Sequence, residues 1–137
     1  MTTRARQDAR RPLRVLVVDD EPLVRRFMTR LIGRLVEHVD VAADGQEALE
    51  FIMETDEPLH LVLSDLSMPR LNGIELARRL HQLEHPPPVV LMTAFDPPEV
   101  HDLLEQGILA DFLRKPMPLP RIIEAIERHA LPPRGVA

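Results

Sequence analysis

Leu13-Arg14-Val15-Leu16-Val17-Val18-Asp19-Asp20 is a short β-branched apolar run that stops on two carboxylates. Its length and composition suit a strand covered on both faces, as in a parallel sheet. Working outward, the design recurs. Leu61-Val62-Leu63-Ser64 runs into Asp65, Val89-Val90-Leu91-Met92 runs into Thr93, and Asp111-Phe112-Leu113-Arg114 runs into Lys115-Pro116. Strands are expected at residues 13–18, 39–42, 59–64, 89–92 and 110–113, the second being short and bounded by charge. Longer segments of helical period lie between them, the signature of βαβ units around a parallel sheet. Right-handed crossovers then put helices on both faces, giving an α/β, doubly wound (βα)5 sandwich. Ligands in such folds bind beyond the carboxyl ends of the strands. Asp19, Asp20, Asp65, Thr93 and Lys115 are therefore expected to converge on one crevice.

The helical segments carry their own punctuation. After the first strand, Leu23, Phe27, Leu31 and Leu35 recur at steps of four with Val24 and Met28 beside them, and Arg26, Arg30 and Arg34 form a flanking stripe. This predicts a core face with a basic edge. Asp44-Gly45-Gln46-Glu47 predicts an N-cap opening the second helix, and Asp96-Pro97-Pro98-Glu99 predicts the same device at the fourth. The third helix is expected over residues 72–82, ending before Pro86-Pro87-Pro88. The last presents Leu119, Ile122, Ile123 and Ile126 on one face and ends at Leu131-Pro132-Pro133.

At 137 residues the chain has room for one domain with its own core. Residues 1–12 are expected to form a flexible basic arm, 13–131 the domain and 132–137 a short tail, leaving no room for an output domain. A net charge of -5 opposes binding to a phosphate backbone, so nucleic acid is not an expected partner. The absence of cysteine excludes disulfides and thiolate chemistry. No apolar run approaches the roughly 18 residues that cross a bilayer, and no secretion signal opens the chain, so a cytoplasmic protein without a membrane partner is expected. Of 17 basic residues, 16 are arginine, and the single lysine is Lys115. A compact ammonium on a flexible stem reaches one phosphoryl oxygen as a point charge, which a planar guanidinium does not.

Three carboxylates crowded together repel by about 4 kcal/mol per close pair at an effective dielectric of about 20, unless a cation enters. Oxygen-only ligands suit magnesium, which keeps several waters and leaves positions for a phosphoryl oxygen. One carboxylate can then attack phosphorus to give an acyl phosphate, while metal and lysine neutralise the equatorial oxygens. Asp65 is the best candidate, standing alone at the end of the central strand, whereas Asp19 and Asp20 form a pair suited to the ion. Thr93 could donate its hydroxyl to the third oxygen.

These residues resemble the receiver domains of bacterial two-component response regulators. The resemblance spans residues 13–128. It rests on Val17-Val18-Asp19-Asp20-Glu21-Pro22, Ala43-Asp44-Gly45-Gln46-Glu47-Ala48-Leu49, Ser64-Asp65-Leu66-Ser67-Met68-Pro69 with Asn72-Gly73, Met92-Thr93-Ala94, and Asp111-Phe112-Leu113-Arg114-Lys115-Pro116, in that order. It implies a flavodoxin-like sheet of order 2-1-3-4-5 and a stand-alone phosphoacceptor signalling domain rather than an ordinary enzyme. Asp65 would accept a phosphoryl group from a phosphohistidine on a sensor histidine kinase or histidine phosphotransfer protein. Magnesium would be held by Asp20, Asp65 and the backbone carbonyl of Ser67, with Asp19 acting through water. Thr93 and Lys115 would bind phosphoryl oxygens, Phe112 would turn inward as Thr93 moves, and the Lys115-Pro116 bond would be cis. A downstream protein would read the face built from the fourth helix, fifth strand and fifth helix.

Some positions depart from the family pattern. Phe112 stands where tyrosine is common and has no hydroxyl, so any readout there is by packing. Gly107-Ile108-Leu109-Ala110-Asp111-Phe112 is one residue longer than the common spacing. Ser67 and Phe95 flank the route of a hydrolytic water, and an apolar Phe95 cannot orient it, which predicts slow self-dephosphorylation. Other readings are weaker. A flavodoxin-like carrier of FMN would want a Ser/Thr/Gly-rich phosphate loop after the first strand and a Trp or Tyr to stack on the flavin. A receiver-shaped scaffold working without phosphate would not need the acidic pocket, Thr93 and Lys115. His81 and His85 sit four apart but have no evident third partner for zinc. Arg26, Arg30 and Arg34 fit either a solvated face or a docking surface for the phosphodonor.

Overall fold

A computed structural model describes residues 10–130. Five strands alternate with five helices: β1 (Arg11–Val18), α1 (Pro22–Ile32), β2 (Val36–Ala42), α2 (Gly45–Glu54), β3 (Leu61–Asp65), α3 (Gly73–His81), β4 (Val89–Thr93), α4 (Pro98–Glu105), β5 (Asp111–Arg114) and α5 (Leu119–His129). The strands form one parallel sheet in the order β2-β1-β3-β4-β5, as expected. Strand alternation sorts the core into two layers. Val15, Val17, Leu61, Leu63, Val90 and Met92 face α1 and α5, packing on Met28, Ile32, Ile122, Ala125 and Ile126. Leu16, Val18, Val62, Val89 and Leu91 face the other way, onto Ala48, Leu76, Ala77, Leu80, Val100 and Leu103 of α2, α3 and α4.

The strands are offset from the expected spans, most at β2, which begins at Val36 rather than at residue 39. β1 takes in Arg11 and Pro12, because Arg11 pairs with Val36 and its N–H donates to Leu35 O at 2.9 Å. Residues 1–9 of the predicted arm, and the predicted tail at residues 132–137, lie outside the described residues. Asp65, Thr93 and Arg114 are the last residues of β3, β4 and β5 rather than the first beyond them.

Two helix expectations need correction. Leu23 and Phe27 do not face the core; they are 73% and 63% exposed. A strict step of four advances about 40° per step on a helix of 3.6 residues per turn, so a stripe from 23 to 35 winds off any single face. The buried face is centred on Met28 and Ile32, with Val24, Leu31 and Leu35 packed beside them. At α4 the N-cap is Pro97 and no side chain caps it. Pro97 occupies the place expected of Asp96, whose carboxylate instead meets His101 Nε2 at 2.6 Å. The other caps stand as read: Asp44 accepts from Glu47 N–H at 2.8 Å, and Asn72 forms a reciprocal capping box with Glu75. In the segment before β5, Gly107 at φ 75 closes α4 in the left-handed region, and Leu109 is buried.

Candidate functional site

The sheet register brings the predicted residues level. Val18 pairs with Ser64, Asp65 with Met92, and Thr93 with Arg114. Asp19 therefore stands beside Asp65, Thr93 one step beyond, and Lys115 one step beyond that, a staircase across three strand junctions. Backbone bonds lock these tips together: Leu66 N–H donates to Met92 O at 3.0 Å, and Lys115 N–H to Thr93 O at 2.8 Å. The Lys115-Pro116 peptide is cis.

Asp19, Asp20 and Asp65 each offer an oxygen within 4.8 Å of the others. Lys115 Nζ lies 3.1 Å from Asp65 Oδ1 and 3.6 Å from Asp19 Oδ2. Asp19 is 1% exposed; its Oδ1 accepts from Glu21 N–H at 3.0 Å, while Oδ2 has no hydrogen-bond partner. Arg25 Nη1, on α1, donates to the Asp19 carbonyl at 2.7 Å and so holds this turn from behind. Asp65 Oδ1 also accepts from Leu66 N–H at 3.0 Å. Asp20 is exposed at the mouth. The Thr93 side chain is buried, and its Oγ1 accepts from Phe95 N–H at 3.0 Å, which leaves its own hydroxyl proton available. Ser67 is exposed on the loop between β3 and α3.

Burial pushes the Asp65 carboxyl above the usual carboxylate range; the Lys115 hydrogen bond and charge pull the other way, and Asp19 adds to the rise. Burial opposes the charged Lys115 ammonium, yet the hydrogen bond to Asp65 and the charges of Asp65 and Asp19 outweigh it and raise its pKa. The two partners move in the same direction because burial prevails over Lys115 at Asp65, whereas at Lys115 two anions prevail over burial. Three carboxylates against one ammonium leave the cluster short of positive charge, and Asp19 Oδ2, buried and 3.6 Å from Lys115 Nζ, lacks a hydrogen-bond partner. An all-oxygen donor set of this kind fits a hard divalent cation such as magnesium.

Phe112 is half-buried in β5 and makes an edge-to-face contact with His101 of α4, with centroids 5.5 Å apart at 83°. His101 was not legible as a functional neighbour, since it is an isolated histidine in a helix. His81 and His85 gain no third ligand: among the described residues the three aspartates are the one group with metal-binding spacing. Arg26 and Arg30 are exposed on α1, as are Leu23 and Phe27, whereas Arg34, expected on the same helical stripe, is exposed in the turn beyond the helix, which ends at Ile32. No helix among the described residues is long and apolar enough to cross a membrane.

Residues 15–127 match the family model of the response regulator receiver domain. The chain is 35% identical over 125 residues to the positive alginate biosynthesis regulatory protein of Pseudomonas aeruginosa, covering 89% of this chain and 49% of that protein. It is 35% identical over 127 residues to the response regulator MprA of Mycolicibacterium vanbaalenii, covering 90% and 54% respectively. It thus spans about half the length of these curated relatives. Among solved structures, the chemotaxis protein CheY4 of Vibrio cholerae superposes with a TM-score of 0.73 at 25% identity, covering 85% of this chain and 98% of that one.

Proposed function

The chain belongs to the response regulator receiver domain family, and on that premise we propose that Asp65 accepts a phosphoryl group from a phosphohistidine of a sensor histidine kinase or histidine phosphotransfer protein, in a magnesium-dependent reaction. The observation that carries this reading is the meeting of Asp65, Lys115 and Asp19, whose buried Oδ2 lacks a hydrogen-bond partner, at the sheet's carboxyl edge.

An Asp65 carboxylate oxygen attacks phosphorus in line; the P–O bond forms as the P–N bond breaks, and the imidazole departs neutral once it has taken up a proton. Asp65 must be ionised to attack, and the Lys115 ammonium at 3.1 Å favours that state. Lys115 then moves its charge from the carboxylate to a phosphoryl oxygen, and the Thr93 hydroxyl donates to another. Asp20, Asp65 and the Ser67 carbonyl would hold magnesium, with Asp19 acting through water; bound there, the ion neutralises charge on the phosphoryl oxygens. When Thr93 turns toward the phosphoryl group, its bond from Phe95 N–H is given up, and the β4–α4 loop shifts against His101 and Phe112. That is a route from the site to the α4-β5-α5 face, where a downstream protein would bind.

Arg26 and Arg30, with exposed Leu23 and Phe27, lie on the helix that follows the acidic turn, and Arg34 lies in the turn just beyond it; together they suit docking of the phosphodonor. Incubation with acetyl phosphate and magnesium, followed by intact mass, tests the core of the proposal. The native chain is expected to gain one phosphoryl group and Asp65→Asn none. No uptake by the native chain, or equal uptake by the variant, would refute it.

A further inference from the structure

Arg70 is the one non-glycine residue among those described whose φ is positive, at 66°. A side chain with a Cβ disfavours that region, so a contact must hold it there. Arg70 Nε–H donates to Asp44 Oδ2 at 2.9 Å and Nη2–H to Asp44 Oδ1 at 3.1 Å, a two-pronged fork on a buried carboxylate. The same carboxylate caps α2 through Glu47 N–H. Burial alone would raise the Asp44 pKa, but the bonds from Glu47 and Arg70 overcome it and hold it below the usual range. Next to this fork, Gly45 N–H donates to Leu71 O at 3.1 Å, and a Cβ at position 45 would come within 2.3 Å of that oxygen.

Residues 70 and 71 are thereby seated on the start of α2. At the other end of the loop, Leu66 is fixed by Met92 O and by its own carbonyl's bond from Gly73 N–H at 2.9 Å. Ser67, Met68 and Pro69 span the interval between these anchors. We propose that Arg70 is a positioning residue, whose clamp on Asp44 fixes the loop carrying Ser67 and so sets the metal-binding and phosphoacceptor geometry from the far side. This rests on the receiver reading above, and it adds a residue whose partner lies 26 positions away in the chain.

Glycine at position 70 separates this role from a structural one, since it removes the fork yet suits the backbone at φ 66. Magnesium chloride is titrated calorimetrically into the full chain, phosphorylation is driven by acetyl phosphate, and thermal melting is recorded in EDTA. In Arg70→Gly the lost fork and the relieved backbone at φ 66 offset each other, so it is expected to melt close to the native temperature while magnesium affinity and phosphorylation rate fall about ten-fold, the scale on which groups that orient metal ligands act. Arg70→Lys should not restore them, because one ammonium cannot grip both oxygens. Asp44→Asn should lose as much, and the double variant no more than either single one. Native magnesium affinity and rate in Arg70→Gly would overturn the proposal, as would a fall in affinity matched by an equal fall in melting temperature. A native chain that binds magnesium but takes up no phosphate would defeat the phosphoacceptor reading alone, leaving the affinity comparison to decide on Arg70; a native chain that does neither overturns both.

Discussion

Asp19→Asn should make the metal-free protein more stable and the magnesium-loaded protein less responsive. The Asp19 side chain is buried at the carboxyl edge of the sheet with Oδ2 lacking a hydrogen-bond partner, its closest cation at 3.6 Å and two further carboxylates within 4.8 Å. At an effective dielectric of about 20, the attraction to Lys115 is about 4.6 kcal/mol, and the repulsion from each neighbouring carboxylate is about 3.5 kcal/mol at the outer distance. Asp20 is exposed and its share is screened, so attraction and repulsion come near to cancelling. What remains is the desolvation of a buried, unsatisfied oxygen, about 1–3 kcal/mol. Asparagine keeps the oxygen that accepts from Glu21 N–H and turns an amide N–H toward the carboxylates. A gain of about 1–2 kcal/mol follows, or about 3–6 °C in melting temperature for a domain of this size. Magnesium at a hundred times its Kd would stabilise the native chain by about 2.7 kcal/mol; the variant should gain far less, so that the order of stability narrows or inverts. Calorimetric melts in EDTA and in magnesium measure both differences. A variant that melts below the native chain in EDTA, or that gains as much from magnesium, would refute the reasoning.

The cluster joining β5 to α5 sets an acid limit on stability. Burial opposes the charged form of Asp111, but Arg121 at 3.0 Å to both oxygens and His129 at 2.9 Å outweigh it and lower its pKa. A carboxyl depressed in the folded state contributes stability above its unfolded value of 3.8 and loses it as pH falls through the folded value. Urea unfolding of Asp111→Asn should therefore converge on the native chain as pH drops below about 4, whereas parallel curves would contradict the pairing. Charge reversal at Arg26 and Arg30 should slow transfer from the kinase while leaving acetyl phosphate unaffected; equal slowing of both donors would remove these residues from docking. Phe95, 67% exposed beside Thr93, offers no polar group to a water, so the phosphoryl group is expected to outlast seconds. Phe95→Gln should shorten its life roughly ten-fold, as radiolabel decay would reveal, and a native half-life of seconds would be the contrary result.

Four of the strands and the residues at their tips were legible because each apolar run gives way to polar residues where the strand leaves the sheet, whereas β2, an edge strand carrying Glu37, His38 and Asp40, was read only over its last four residues. Lys115 stood out as the one lysine of the chain. The failures have physical sources. Leu23 and Phe27 fitted a step of four, but helical geometry carries such a stripe off the core, and only the partner surface reveals which face is buried. Asp96 looked like a cap because Asp-Pro commonly opens helices, yet the second proline shifted the start by one residue. Asp44 could be read as a cap but not as half of a clamp. Arginine does not signal a left-handed backbone, and the partner that holds it there comes from a different βα unit.

The site is in the end a property of register. Val62 and Leu91 face one helical layer while Leu61, Leu63, Val90 and Met92 face the other, all almost fully buried. Slipping β3 by one residue against β1 would send Leu61, Val62 and Leu63 to the wrong layers and carry Asp65 out of line with Asp19. The apolar contacts of the strand interiors thus fix positions that their charged tips would not choose, since carboxylates free to move would separate. A core strong enough to hold like charges together is also what makes the cluster responsive. A cation or phosphoryl group arriving there relieves a repulsion that the sheet cannot relax by itself, so the binding energy is available for movement in the adjoining loops rather than in the strands.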